Sequence, residues 1–415
     1  MAIRGWFRTL SFFTIAFEIY GSTSASSSIS PSTAFSFSWT APLRRKALDS
    51  RCAHRPKLQT SALGSSSARG VSRCSSAGVN GLRCDMSHGE GESVEIWSAE
   101  KQDELHLSTA ADCPLWEHAQ LKVGTLMVDG LETFYRSVVP STKETGTPPL
   151  VLVHGFGISS EHFVKNMQAI ADATGAPVYA IDLIGFGRSE KPSQAVYGIE
   201  LWARQLEVFL DALLPSQKVF LAGNSIGGYV CMTVAADRPS ACAGLGLINS
   251  AGAWGALNPF GVPVPFLQWP PLARGLGRVL FDVAREPRHV QRTLQRVYAD
   301  PTQVDGALVS AILGPASTAE ALAAGPHLFA SLFLLPPGRS WKHLLSGAEG
   351  YKGPVLAVWG AQDPWLLPRY VRLLQEFRGD VEVAWVDAGH CPHHERPREV
   401  NSRVAEWMQR TAAAP

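Results

Sequence analysis

The sequence has no charge surplus, no ordered cysteine pattern and no internal repeat. Its 37 Lys+Arg against 36 Asp+Glu leave a net charge of +1, so there is no basic excess of the kind that binds nucleic-acid phosphates. The seven cysteines are an odd, scattered set, which argues against a zinc ribbon and against a disulfide-stapled secreted scaffold. The early apolar stretch Trp6 to Tyr20 is broken by Arg8 and Glu18. It is also shorter than the roughly 20 residues a membrane-spanning helix needs. Charged residues make up 18% and hydrophobic residues 46% of the 415, enough apolar material for a sizeable core, so the chain is not disordered throughout.

Acidic residues are scarce in one place. Residues 1–84 hold eleven Lys/Arg and only Glu18 and Asp49, whereas the rest of the chain holds 26 bases and 34 acids. The same segment is dense in serine, with runs at Ser26 to Ser28 and Ser65 to Ser67. An Arg/Ser-rich, acid-poor tract is the composition of a plastid or mitochondrial transit peptide. The apolar stretch after Arg4 has the character of a signal-peptide core, and the two together resemble the two-part plastid leaders of algae whose plastids have extra membranes. The expectation is a targeting leader over 1–84 and a plastid location, with mitochondrion or secretory pathway as alternatives and an unaddressed tail as the plain reading. Residues 85–118 stay polar and irregular and read as a linker.

From residue 119 a folded pattern begins. Gln120 to Val128 and Leu131 to Val139 flank Asp129-Gly130, a hairpin signal. Leu150–Val153, Pro177–Ile181, Val219–Ala222, Leu245–Ile248, Val355–Trp359 and Val381–Val386 read as further strands. Helical spacing lies between or after them at 161–174, 201–214, 226–236, 370–377 and 400–408. This alternation predicts a mostly parallel sheet with helices on both faces, over 119–415. Residues 252–345 break the rhythm, with Pro259, Pro263, Pro265, Pro270 and Pro271 among aromatics and then helical spacing. They read as a mostly helical cap inserted between two strands.

Chemistry concentrates at the strand ends. Gly223-Asn224-Ser225-Ile226-Gly227 fits G-x-S-x-G, preceded by a strand and followed by a helix, the context in which the serine sits on a strained turn. A serine hydroxyl needs a base, and the base an orienting acid. Asp363 follows the strand Val355–Trp359, while the end of the preceding strand offers Asn249-Ser250-Ala251 and no acid. His390 follows Gly389 directly after the strand Val381–Val386. Its neighbours His393 and His394 are expected to cap the next helix or lie at the rim. His154-Gly155-Phe156-Gly157 follows Leu150–Val153, so the N–H of Phe156 and that of Ile226 are the candidate pair for an oxyanion hole, each worth about 3–4 kcal/mol in comparable sites. His154 reads as a structural hydrogen-bonder, and Gly155, Gly223 and Gly227 as the small residues the turns require. Cys391 reads as a packed cysteine. No metal is expected, because neither His393 and His394 nor the cysteines have ligand spacing, and no cofactor is implied.

These motifs resemble the α/β-hydrolase superfamily across residues 120–412. Gly360 to Trp365 and Ala388 to His393 are similar to the plastid branch of that superfamily that includes pheophytinase and chlorophyll dephytylase, whose serine motif has Leu where this chain has Ile226. The branch usually has an acidic residue where this chain has His394. The resemblance implies a triad of Ser225, Asp363 and His390 that hydrolyses a carboxylic ester, possible phytyl esters of chlorophyll-type pigments included. The expected partners are a small lipophilic ester and, peripherally, a membrane surface, with no nucleic acid. Phe260, Phe266, Leu267, Trp269 and the run Leu328 to Leu335 either wall the pocket or simply pack the cap. Haloalkane or epoxide opening uses an aspartate nucleophile, which Ser225 argues against. C–C bond hydrolysis and cofactor-free peroxidation use the same serine triad, and some non-catalytic binding modules on this fold retain it, so turnover separates them.

Overall fold

The computed structural model describes residues 121–141, 143–252, 270–334 and 338–414, with the backbone alone at 270–272 and 332–334. The expected leader and linker lie outside these residues, as do Phe260, Phe266, Leu267, Trp269 and Leu335. Eight strands form one sheet: β1 (Lys122–Val128), β2 (Leu131–Val138), β3 (Leu150–Val153), β4 (Val178–Ile181), β5 (Val219–Ser225), β6 (Cys242–Ser250), β7 (Val355–Gly360) and β8 (Glu382–Val386). Their order is β1-β2-β4-β3-β5-β6-β7-β8. The β1–β2 hairpin turns at Asp129 (φ 47°) and Gly130 (φ 82°), the two consecutive left-handed positions that an Asp-Gly turn supplies. β2 pairs antiparallel with β1 and β4, and every pairing from β4 to β8 is parallel.

Alternation along each buried strand divides the core between the two faces. Leu150 and Leu152 of β3 pack in one cluster with Met167 and Ile170 of α1 (Val164–Thr174) and Val400 and Val404 of α11 (Pro397–Ala413). Val151 and Val153 enter the other, with Leu206 and Phe209 of α2 (Ile199–Leu213), Val230 and Val234 of α3 (Ile226–Asp237), and Val371 and Leu374 of α9 (Pro368–Phe377). A strand covered on both faces is therefore apolar at every position. Each of these side chains contributes about 1.5–3 kcal/mol by burial.

Between β6 and β7 the described residues are helical: α4 (Pro270–Ala284), α5 (Pro287–Val297), α6 (Gly306–Ala316), α7 (Ala319–Leu334) and α8 (Trp341–Ser346). Among the described residues no single helix is long and apolar enough to cross a membrane. Several boundaries shift by a few residues from the sequence reading, and two of the differences lie near the strand ends. β5 runs on to Ser225, because its last residue pairs with Ser250 across a register shift. The helix expected from residue 161 opens with a 3-10 turn, Ser160–Phe163, where the Ser159 hydroxyl accepts the Glu161 N–H, and becomes α-helical at Val164. The chain leaves β3 for β4 on one side and returns to β5 on the other. This is the switch point at whose carboxyl edge open α/β sheets bind ligands.

Candidate active site

Ser225 is the hinge between β5 and α3, with φ 54° and ψ −120°. For a non-glycine residue that conformation is strained and held by its surroundings. The glycines around it make it possible. A Cβ on Gly227 would lie 2.1 Å from the carbonyl oxygen of Val153, and one on Gly223 would lie 2.3 Å from the Gly227 carbonyl carbon. The first turn of α3 thus rests directly on the end of β3. Asn224 and Ile226 are buried on either side, while Ser225 is partly exposed. Phe156 follows β3, and its ring meets Phe186 and Phe329 edge-on at 5.1 and 5.3 Å. His154 is fully buried, donating through Nδ1 to Gly155 O at 2.7 Å and accepting the Leu183 N–H through Nε2 at 2.9 Å. Burial holds its pKa down against the charge of Asp182, so it fixes a loop as a neutral ring.

Asp363 and His390 meet at the ends of β7 and β8. His390 Nδ1 lies 2.7 Å from Oδ2 of Asp363. A carboxylate accepts there, so Nδ1 carries the proton, and in the neutral ring Nε2 holds the lone pair. The same oxygen accepts the side-chain amide of Asn249 at 2.6 Å, and Oδ1 accepts the N–H groups of Trp365 and Leu366 at 2.7 and 3.0 Å. Burial works against the ionised carboxylate. The charge of His390 and hydrogen bonds from its ring and from the Leu366 and Trp365 backbone outweigh it, so Asp363 is held below its ordinary pKa. The backbone around His390 is held as closely. Its N–H donates to Val297 O at 2.7 Å, and its carbonyl accepts Asn224 Nδ2 at 3.1 Å.

Ser225, His390, Trp365, Leu294, Val297 and Phe329 line one cavity between the sheet edge and the cap. Phe156, Ile312 and Phe329 also belong to an adjoining space that reaches Phe281, Leu313 and Leu328. Of the cap residues expected to wall a pocket, Leu328 and Phe329 do so. The arrangement offers a partly exposed serine, an imidazole, and apolar walls around both.

His393 and His394 are neither at the rim nor exposed. They sit in the short helix α10 (Pro392–Glu395), 1% and 2% exposed, and pack with His162, which precedes them by more than 200 residues. His393 Nε2 meets His162 Nδ1 at 3.0 Å, and His394 stacks on His162 at 4.6 Å. The Tyr298 hydroxyl bridges His162 Nε2 at 2.8 Å and His394 Nδ1 at 3.2 Å. Burial holds all three below the usual histidine range, His394 at about 3. Among the described residues no group of His, Cys, Asp or Glu converges as a metal site. Cys391 is buried and burial raises its thiol pKa, so it is not a thiolate at neutral pH. Asn249 was visible in the sequence only as the place where an acid is missing. It has φ 39°, and besides Asp363 it holds the Gly360 N–H at 2.8 Å.

A family profile described as the alpha/beta hydrolase fold matches residues 148–397, more than half of the chain. The chloroplastic pheophytinase of Arabidopsis thaliana is 26% identical over 307 residues, which cover 63% of this chain and 61% of that protein. This chain therefore matches less than two thirds of that relative's length. Lipase 1 of Psychrobacter immobilis is 27% identical over 59% of this chain and 71% of its own. Among solved structures, a thermophilic esterase from Thermogutta terrifontis superimposes with a TM-score of 0.54 at 23% identity, over 71% of this chain and all of that one. At that identity the likeness is one of fold.

Proposed function

This chain belongs to the α/β-hydrolase family, and from that premise we propose that it is a serine hydrolase of carboxylic esters. Its relatives include lipases and a pheophytinase, which makes a lipophilic ester the substrate class and the phytyl ester of chlorophyll or pheophytin the first candidate. The observation that carries the reading is the 2.7 Å pairing of His390 Nδ1 with Asp363, which leaves Nε2 as the base in the cavity that Ser225 also lines.

In this mechanism Ser225 Oγ attacks the ester carbonyl carbon as its proton passes to Nε2 of His390. Asp363 holds the imidazole in the required tautomer and stabilises the imidazolium. The N–H groups of Phe156 and Ile226 receive the negative charge on the tetrahedral oxygen. The imidazolium then gives its proton to the departing alcohol, leaving the acyl group on Ser225. Water, deprotonated by the same histidine, releases the acid. The Arg/Ser-rich leader fits a plastid location for such an enzyme, and the apolar cavity walls fit substrate taken up from a membrane surface.

The test follows phytol release from pheophytin and chlorophyll by chromatography, beside a short acyl ester, with the protein and its Ser225→Ala variant. Serine-dependent phytol release is the expected result. Turnover of the short ester alone would remove the pigment and leave the hydrolase. Tight ligand retention without turnover of any ester would replace the enzyme by a binding module on the same fold.

A further inference from the structure

Glu395 joins the loop that carries His390 to the cap. Its carboxylate accepts three backbone N–H groups: that of Gly389 on Oε1 at 2.8 Å, and those of Ala299 and Asp300 on Oε2 at 2.8 and 3.1 Å. The first donor immediately precedes His390. The other two belong to the segment that leaves α5 of the cap. Around this carboxylate, Val297 O accepts the His390 N–H at 2.7 Å, and the Tyr298 hydroxyl is set between His162 and His394. Gly389 allows the approach, since a Cβ there would lie 2.0 Å from Val297 O and 2.8 Å from Ala299 N. The segment Val297–Asp300 therefore lies directly on the backbone that presents the imidazole.

We propose that Glu395 and the cap segment Val297–Asp300 form a clamp that positions His390, so that base alignment and seating of the cap are one event. Glu395 is a positioning residue in this proposal, which rests on the serine-hydrolase reading. Three donors converge on its two oxygens, a demand that only a carboxylate meets. A glutamine has one accepting oxygen, and its NH₂ would face a backbone N–H. The clamp's other contacts on His390 are the Val297 carbonyl of the cap and the Asn224 amide of the nucleophile strand. Loosening the cap segment thus removes a restraint from the base without touching Ser225 or Asp363.

The experiment compares the protein with its Glu395→Gln variant by two readouts. One is the low-field proton resonance of His390 Nδ1–H, identified by its loss in Asp363→Asn. The other is kcat and KM on a short soluble ester, with the Tm recorded beside them. The expected result is a broadened or lost resonance and a kcat reduced about 10- to 100-fold, the scale of a displaced catalytic group, with KM within about threefold. A wild-type resonance and kcat would overturn the clamp, whatever happens to the Tm. If Glu395→Gln does not fold, Ala299→Pro removes one of the clamped N–H groups instead. Tyr298, at ψ 131°, already has the extended conformation a following proline needs. The same loss in that variant supports the clamp, and wild-type kcat overturns it. Should the protein hydrolyse no ester, the reaction assignment fails while the resonance comparison still decides the clamp.

Discussion

Asn249 and His390 meet on one carboxylate oxygen: Asn249 Nδ2 lies 2.6 Å and His390 Nδ1 2.7 Å from Oδ2 of Asp363. The carboxylate is thus tied to β6 as well as to its own loop. Asn249 reaches it from a left-handed backbone position, where asparagine is among the most tolerated residues.

Asn249→Ala is accordingly expected to destabilise the fold and slow the reaction together. It removes a hydrogen bond to a charged group, worth about 1.5–3 kcal/mol, and leaves the buried Gly360 N–H without its acceptor. A fall in denaturation midpoint with a several-fold drop in kcat is the expected outcome. An unchanged midpoint would mean that solvent or the loop replaces both bonds.

Asp363→Asn separates charge from shape. Its Oδ1 can still accept the Trp365 and Leu366 N–H groups, so the fold should survive, but an amide facing Nδ1 favours the wrong histidine tautomer. A kcat loss on the order of 10⁴ is expected, measured on a short ester. The pH dependence has a sign as well. Because the folded pKa of Asp363 lies below its unfolded value, its ionisation stabilises the fold above the ordinary carboxylate range, near pH 4. That contribution is lost as pH falls through the lower, folded value. Denaturant titrations between pH 5 and 3 should lose this part of the acid slope in the variant, and an identical slope would contradict the assignment.

What could be read in the sequence, and what could not, divides by range. Ser225, Asp363 and His390 each follow a short apolar run, and a strand end is a local signal. Asn249 is legible only as a missing acid, because its role depends on β6 and β7 being neighbours, and it stands 111 positions from Gly360 in sequence. His393 and His394 read in the sequence as residues that cap the next helix or lie at the rim, whereas both are buried. Their burial is set by His162 and Tyr298, which no local pattern connects to them. The hairpin was legible from Asp129-Gly130 alone.

The histidine cluster makes a prediction about acid. His162, His393 and His394 are buried with folded pKa values below the unfolded value, about 3 for His394. An unfolded chain therefore binds protons that the folded chain refuses. Stability contributed by this burial is intact above about pH 6.5 and declines as pH falls towards the folded values. At pH 5 one such histidine costs about 2 kcal/mol. Lys165 and Asp305 face His394, where Lys165 adds to the repulsion and Asp305 opposes it. The denaturation midpoint should fall steeply from pH 7 to pH 5, and His394→Asn should flatten that slope. An equally steep slope in the variant would place the proton uptake elsewhere.

Phe329 stands in the wall common to the cavity of Ser225 and His390 and the adjoining space, its ring 5.3 Å from that of Phe156 and 5.8 Å from that of Phe281. Replacing it with alanine joins the two spaces through an apolar opening next to the proposed oxyanion site. A chain that extends into the added volume gains about 0.8 kcal/mol for each methylene it buries, whereas a butyrate is too short to reach it. Three methylenes would then shift relative kcat/KM by about 60-fold in favour of the longer ester. The change also removes a core aromatic, at a cost of about 3–5 kcal/mol in stability. The informative quantity is therefore the ratio of kcat/KM for dodecanoate and butyrate p-nitrophenyl esters, which cancels any loss of folded protein. A ratio that moves towards the long chain makes Phe329 the residue that limits chain length, and a ratio equal to that of the unaltered protein would show that substrate chains run elsewhere in the cavity.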